Sequence, residues 1–355
     1  MIDFDFAALR RIGLTQVIAN QLYTLSLTLP DTIALQAGRI TEVHRDWFTV
    51  HQGVTPLHAR CQPSLLQALD DNDTSLAVGD WVLMDQHEPP RIIARMSPLN
   101  HLARRSNDGR RQALASNVDT ALLVMGLDHD FNLRRLERYL ALVHAAEVAP
   151  VIILTKADVS PQAEAHLAEV NQRLSGNVPV FAVNGQSAAT AELLAPWMGV
   201  GQTLILLGSS GAGKSTLTNT LAASTQDTGE VRAGDSRGHH TTTARSLHLC
   251  PHGACIIDTP GLRSLQLDLD ETALSASFED IDALATQCQF RDCSHQAEPG
   301  CAVRAAVDED RLHNYQKLLR EARRNQQTPL DKIAARSKWK VLMRSVKERD
   351  KQKRG

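Results

Sequence analysis

The chain has 355 residues, is 43% hydrophobic and 22% charged, and carries a formal net charge of −2 at pH 7. The length predicts two or three domains, the composition is that of a soluble globular protein, and six cysteines in a chain this long exclude a disulfide framework. No apolar run reaches the roughly 18 residues that span a membrane. The start "MIDFDFAALRRIG" lacks a signal peptide's basic and apolar regions, so the expected location is the cytoplasm.

Residues 1–32 predict a helical extension ending near Pro30. Over 33–98, short alternating segments such as "GRITEVHRDWFTVHQ" and "SLAVGDWVLMDQ" are punctuated by Gly, Asp, Asn and Pro. Four or five such strands predict a small β-barrel, with an OB-fold the first choice and an SH3-like barrel the alternative. Trp47, Phe48 and Trp81 are candidates for stacking on bases, at least two of them being better explained as core. Residues 99–117, "LNHLARRSNDGRRQALASN", predict a polar, basic linker. From 118 to 270 the texture becomes α/β: "VDTALLVMGL", "APVIILTKAD" and "NVPVFAV" are strand-like and alternate with amphipathic helical stretches. Such alternation predicts a mostly parallel, doubly wound sheet.

The second of these strands ends in "TKAD", Thr155, Lys156, Ala157 and Asp158. An aspartate at this place accepts from the guanine N1–H and exocyclic amine while the lysine packs along the base, and adenine offers no such donor pair. Asn184 in "FAVNG" stands where a further base contact is expected. About fifty residues later "LGSSGAGKST" satisfies G-x-x-x-x-G-K-[ST] between an apolar strand and a helix. Its loop runs Gly208, Ser209, Ser210, Gly211, Ala212, Gly213, Lys214, Ser215 and Thr216. Backbone N–H groups of such a loop cradle phosphates, Lys214 reaches the β- and γ-phosphates, and Ser215 ligates Mg²⁺. "DTPG", with Asp258 and Gly261, follows. In an ordinary GTPase the base-reading motif comes last; here it comes first. Joining the natural ends of the domain and cutting elsewhere gives this order, so a circularly permuted domain is predicted.

"CQFRDCSHQAEPGC" spaces Cys288, Cys293, His295 and Cys301 as C-x4-C-x-H-x5-C within a helical segment, 271–327. Three thiolates and an imidazole form a closed tetrahedral set, predicting one structural Zn²⁺. Cys61, Cys250 and Cys255 read as small core residues. Residues 311–355 hold 15 Lys/Arg against 4 Asp/Glu, and 328–355 form a basic tail on an acidic body. That asymmetry predicts a polyanionic partner such as RNA.

Taken together, the barrel, the "QALASNVD" junction, "TKAD", "GSSGAGKST", "GHHTTTAR", "DTPG" and the cysteine set resemble the RsgA (YjeQ/YloQ) family of GTPases along nearly the whole chain. The resemblance implies an OB-fold barrel, a permuted P-loop GTPase domain and an α-helical zinc-binding domain. It also implies hydrolysis of GTP to GDP and phosphate, stimulated by the small (30S) ribosomal subunit during its late maturation, with 16S rRNA as a contact and a monomeric state. Thr242 is the implied ligand of Mg²⁺ and the γ-phosphate. His240 is the implied catalytic group, with His239 as its alternative, because Leu262 stands where a water-orienting glutamine is found in Ras-type enzymes. Thr155 departs from the commoner asparagine, and "AVNG" from the usual serine-alanine. A nucleotide-gated RNA-binding switch with incidental hydrolysis is the competing reading.

Overall fold

A computed structural model describes residues 5–30, 33–105, 111–174, 178–222, 245–259, 266–267, 271–275 and 277–326. Two units separate, 1–267 and 268–355.

The first unit opens with helices α1 (Phe6–Arg10) and α2 (Gln16–Ser26). Asp5 and Thr15 are their N-caps, each accepting from a backbone N–H of the first turn. Ile18 and Leu22 of α2 are buried with Trp81, Leu83 and Met96, so the extension covers one side of the barrel. The barrel comprises β1 (Leu35–Val43), β2 (Phe48–His51), β3 (Pro56–Cys61), α3 (Pro63–Asp71), β4 (Trp81–Asp85) and β5 (Arg91–Arg95). Pairings β1–β2, β2–β3, β3–β5, β5–β4 and β4–β1 close it, with β3–β5 parallel. Closure leaves no free edge, and α3 lies between β3 and β4 in sequence, the OB arrangement predicted. Trp81 and Phe48 are core, whereas Trp47 stacks on His44 at 3.6 Å and meets His58 edge-on at 4.3 Å.

Residues 99–117, expected as a linker, instead hold a hairpin of β6 (His101–Arg105) and β7 (Arg111–Ser116). Leu102, Ala103 and Ala113–Ala115 supply buried apolar positions that the surrounding arginines obscure in the sequence.

The α/β part follows: β8 (Thr120–Gly126), α4 (Leu133–Ala145), β9 (Ala149–Thr155), α5 (Ala163–Arg173), β10 (Val180–Ala182), α6 (Ala188–Leu194), β11 (Thr203–Leu207), α7 (Lys214–Ala222), β12 (Ser246–Leu249), β13 (Cys255–Asp258) and β14 (Gln266–Leu267). Strand order is β10-β9-β8-β11-β13-β12, parallel except for the antiparallel β12. β8 and β11 are buried at every residue, as strands covered on both faces must be. β12 also pairs with β1 through Ser246 and Glu42, so the sheet runs on into the barrel.

Arg39 of β1 fastens the same joint. Its buried guanidinium donates to the carbonyls of Ile12, Gly79 and Asn117 and to Thr203 Oγ1, binding the extension, the barrel and the start of β11. Asn117, at φ 55°, completes the knot: its side chain accepts from Leu99 N and donates to Gly79 O.

In the second unit α8 (Glu271–Ser275), α9 (Glu279–Ala285), α10 (Ala302–Ala306) and α11 (Glu309–Gln326) surround the cysteine loop. Arg311 donates two bonds to Asp280, tying α11 to α9, and its guanidinium lies 5.0 Å from the centre of the Phe278 ring.

Candidate nucleotide site and metal centre

The phosphate loop links β11 to α7 at the C-terminal ends of the parallel strands, where open α/β sheets bind ligands. Glycine is required here by contact and by conformation. A Cβ on Gly208 would overlap the Val124 carbonyl of β8, and Gly213 has φ 93° with Thr155 Oγ1 only 3.2 Å from where its Cβ would stand. Lys214 is buried and donates to the carbonyls of Gly208 (3.0 Å) and Ser209 (2.7 Å), leaving one of its three protons for a ligand. Burial pulls its ammonium below the ordinary lysine range against the opposing charges of Asp258 and Asp130. Asp258, at the end of β13, is pushed up by burial, which the Lys214 charge counters. Ser215, Ser210 and Gly211 are exposed, while Ala212 and Ser209 are buried.

The "TKAD" stretch lies directly against this loop, although it is more than fifty residues away in the chain. Thr155 Oγ1 donates to Ala212 O at 2.6 Å, and Lys156 Nζ donates to Gly211 O at 2.8 Å. Lys156 itself has φ 62° and pairs with Asp128 at 2.7 Å. Burial raises the Asp128 carboxyl, but the Lys156 bond, the Asp130 N–H and the charges of Lys156 and His129 together outweigh it, so the net shift is downward. Asp158 is exposed, its carboxylate at the open end of β9. Asn184 follows β10 and turns its side chain onto its own loop, accepting from Gln186 N, while its carbonyl accepts from Thr190. Thr216 lies on the first turn of α7, beside Gly185.

Asp130, which belongs to no recognisable motif, accepts from Ser209 Oγ at 2.6 Å and from Arg135 Nη1 at 2.7 Å. It sits in the turn after β8, "GLDHDFN", an aspartate-rich loop in a sheet whose ligands bind at that end. His240, Thr242 and Gly261 lie outside the described residues.

In the second unit the ligand atoms of Cys288, Cys293, His295 and Cys301 all lie within 4.8 Å of one another. The Cys288 and Cys301 sulfurs are 3.9 Å apart; Zn–S bonds of ~2.3 Å arranged tetrahedrally set their sulfurs about 3.8 Å apart. His295 Nδ1 is 3.4 Å from Cys301 Sγ and 3.7 Å from Cys288 Sγ. Backbone N–H groups of Val303 and Ala302 pull the Cys288 thiol down, while burial and the neighbouring thiols push Cys293 up to about 11. Thiols crowded in this way compete for negative charge, and a divalent cation removes the conflict. The loop also carries hydrogen bonds of its own. Glu298 accepts from the N–H groups of Ser294, Gln296 and Ala297 and from the Ser294 hydroxyl, and His295 O accepts from Gln316 of α11. This donor set could hold a metal ion.

A phosphate loop and a guanine-type T-K-x-D contact at the mouth of a parallel sheet, entered in permuted order, define a circularly permuted P-loop GTPase. The sequence model of the RsgA GTPase family matches residues 96–268. Small ribosomal subunit biogenesis GTPase RsgA 2 of Vibrio vulnificus is 44% identical over 322 residues, 89% of each chain. Small ribosomal subunit biogenesis GTPase RsgA of Xanthomonas oryzae pv. oryzae is 46% identical over 292 residues, 79% of each chain. The chain belongs to the RsgA GTPase family. The crystal structure of YjeQ from Thermotoga maritima shares the fold at TM-score 0.60 and 23% identity, covering 81% of this chain and 98% of that one. YloQ, described as a circularly permuted GTPase, does so at TM-score 0.57 and 23% identity, covering 83% and 97%.

Proposed function

We propose that the protein hydrolyses GTP to GDP and phosphate in the biogenesis of the small ribosomal subunit, and that contact with the subunit raises its turnover. The observation that carries this reading is the pair of bonds from Thr155 and Lys156 to the phosphate loop. They bring a guanine-reading stretch and a phosphate cradle to one mouth. The relatives' names supply the cellular setting.

Phosphoryl transfer to water needs positioning and charge stabilisation more than covalent chemistry. The N–H groups of residues 208–216 cradle the phosphates, and Lys214 turns its remaining proton to them. Asp158 accepts from the guanine edge, Lys156 lies along the base, and Asn184 adds a contact to it. Ser215 and Thr242 would hold Mg²⁺, with Asp258 as a more distant partner, and the ion would supply neutralisation of the charge developing on the phosphates. The Gly261 N–H senses the γ-phosphate, and His240 orients the attacking water. In the second unit Cys288, Cys293, His295 and Cys301 hold one structural Zn²⁺. The basic tail 328–355 contacts 16S rRNA, and the protein acts as a cytoplasmic monomer. Barrel (33–98), permuted GTPase domain (118–270) and zinc domain (271–327) are its working parts.

Hydrolysis of GTP and ATP with and without purified small subunits tests this. The expected result is GTP-selective turnover that rises at least tenfold with subunits. Equal use of ATP refutes the guanine assignment, and an absent rise refutes the ribosomal one.

A further inference from the structure

Away from the nucleotide, a cleft of about 850 Å³ opens between the barrel and the β6–β7 hairpin. That volume is in the range of small-molecule pockets, roughly 300–1,000 Å³. Its apolar lining includes Val43, Phe48, Leu66, Leu69, Leu76 and Leu114. Against it stand two cations, Arg104 of β6 and Arg245 at the entry to β12.

Arg245 is in an unusual position. Its Nη1 donates to Ala113 O at 3.1 Å, but its buried Nε has no hydrogen-bond partner among the described residues. No ion pair joins either arginine to a carboxylate among the described residues. Among the described residues the Arg104 side chain is held to the neutral Gln112 side chain, at 3.0 Å. Asp70, which also lines the cleft, is exposed on α3 and pairs with neither. Burial, and then the charge of Arg104, pull the Arg245 guanidinium down to about 10, which leaves it cationic at neutral pH. A guanidinium withdrawn from water without a counter-ion is costly, and folds retain one where an anion completes it. Its planar fork suits the oxygens of a phosphate or carboxylate.

We propose that this cleft is a second ligand site, taking a small organic phosphate whose phosphate meets Arg245 and Arg104 and whose apolar body lies on Phe48, Leu66 and Leu114. The site is distinct from the phosphate loop. It touches β12, which pairs with β13, the strand ending at Asp258, so occupancy and nucleotide state are linked through one sheet.

The test uses the full chain saturated with GDP, which fills the phosphate loop, titrated calorimetrically at low ionic strength with phenyl phosphate. Saturable one-to-one binding is expected, with inorganic phosphate at least tenfold weaker because it has no apolar body. Arg245→Gln should weaken phenyl phosphate at least tenfold and leave GDP affinity unchanged. Should that variant fail to fold, Arg104→Gln, on the hairpin surface, decides the matter with an expected loss of threefold or more. Equal binding by parent and folded variant overturns the proposal, as does inorganic phosphate binding as tightly as phenyl phosphate. If a single-stranded oligouridylate loses affinity in Arg245→Gln while phenyl phosphate never binds, the cleft is a nucleic-acid contact and the small-ligand proposal fails.

Discussion

Replacing Thr155 by valine removes one hydroxyl and keeps the shape. The residue is buried at the end of β9, and its Oγ1 donates to Ala212 O at 2.6 Å. Valine leaves no cavity beside Gly213, so the change removes that bond and the longer 3.4 Å one to Met125 O and little else. An acceptor deprived of its partner in a buried setting costs about 1–3 kcal/mol, and the lower half of that range applies where a loop relaxes. The relaxed loop must regain its phosphate-binding shape when nucleotide enters, so the cost appears in affinity. About 1–2 kcal/mol corresponds to a roughly 5- to 30-fold rise in the GDP Kd. Fluorescent GDP titration measures it, urea unfolding checks that the fold is intact, and Thr155→Ser, which keeps the hydroxyl, should stay within about threefold of the parent. A folded Thr155→Val protein with an unchanged Kd refutes the idea that this side chain holds the phosphate loop.

Asp158→Asn should weaken GTP and favour xanthosine triphosphate, because donor and acceptor are exchanged on both sides; competition binding with the two nucleotides reads it. Metal analysis should find about one zinc per chain, and Cys293→Ser should lose it. Structural zinc contributes roughly 10–16 kcal/mol of apparent binding free energy, so hydrogen exchange should show α9 to α11 losing protection. Burial, with Arg95 and Arg111 nearby, pulls His101 from 6.5 down to about 4. The fold therefore favours the neutral ring. Below pH 6.5 the unfolded chain takes up a proton that the fold resists, and stability falls by about 2–3 kcal/mol as pH drops towards 4. His101→Gln should flatten that part of the profile, and parallel loss in both proteins would contradict the reasoning. Arg39→Met should lower the unfolding free energy by about 3–5 kcal/mol, since four acceptors lose a buried donor at once; a calorimetric Tm within a degree or two of the parent would show the joint to be held elsewhere.

Motif spacing made the phosphate loop, the cysteine cluster and the inverted order legible in the sequence because each is local. A glycine-rich turn, a pair of thiols and a strand ending in T-K-x-D carry their chemistry within a few residues. Contacts across the chain left no such mark. Arg39 looks like any strand arginine until Ile12, Gly79, Asn117 and Thr203 converge on it from four parts of the sequence. Asp130 is one of two aspartates in a polar turn, and only the fold sets it against Ser209. The 99–117 stretch misled for a related reason. Arginines and asparagines outweigh its short apolar alternation, yet "HLA" and "ALA" point inward because the neighbouring barrel and sheet give them a face to cover.

Permutation explains why so much of this non-local binding gathers at one joint. Placing the base-reading half first puts the start of the α/β sheet immediately after the barrel and hairpin; β12 is that sheet's antiparallel outer strand. An exposed edge invites unwanted pairing. Here β1 pairs with it at Glu42 and Ser246, and Arg39, three residues earlier on β1, secures the same strand to the start of β11. Barrel and nucleotide sheet are therefore continuous by backbone and by side chain. β13, where Asp258 stands, is hydrogen-bonded to β12, and β12 to β1, with no linker between them. That continuity gives the barrel a direct mechanical route to the end of the sheet where the nucleotide binds.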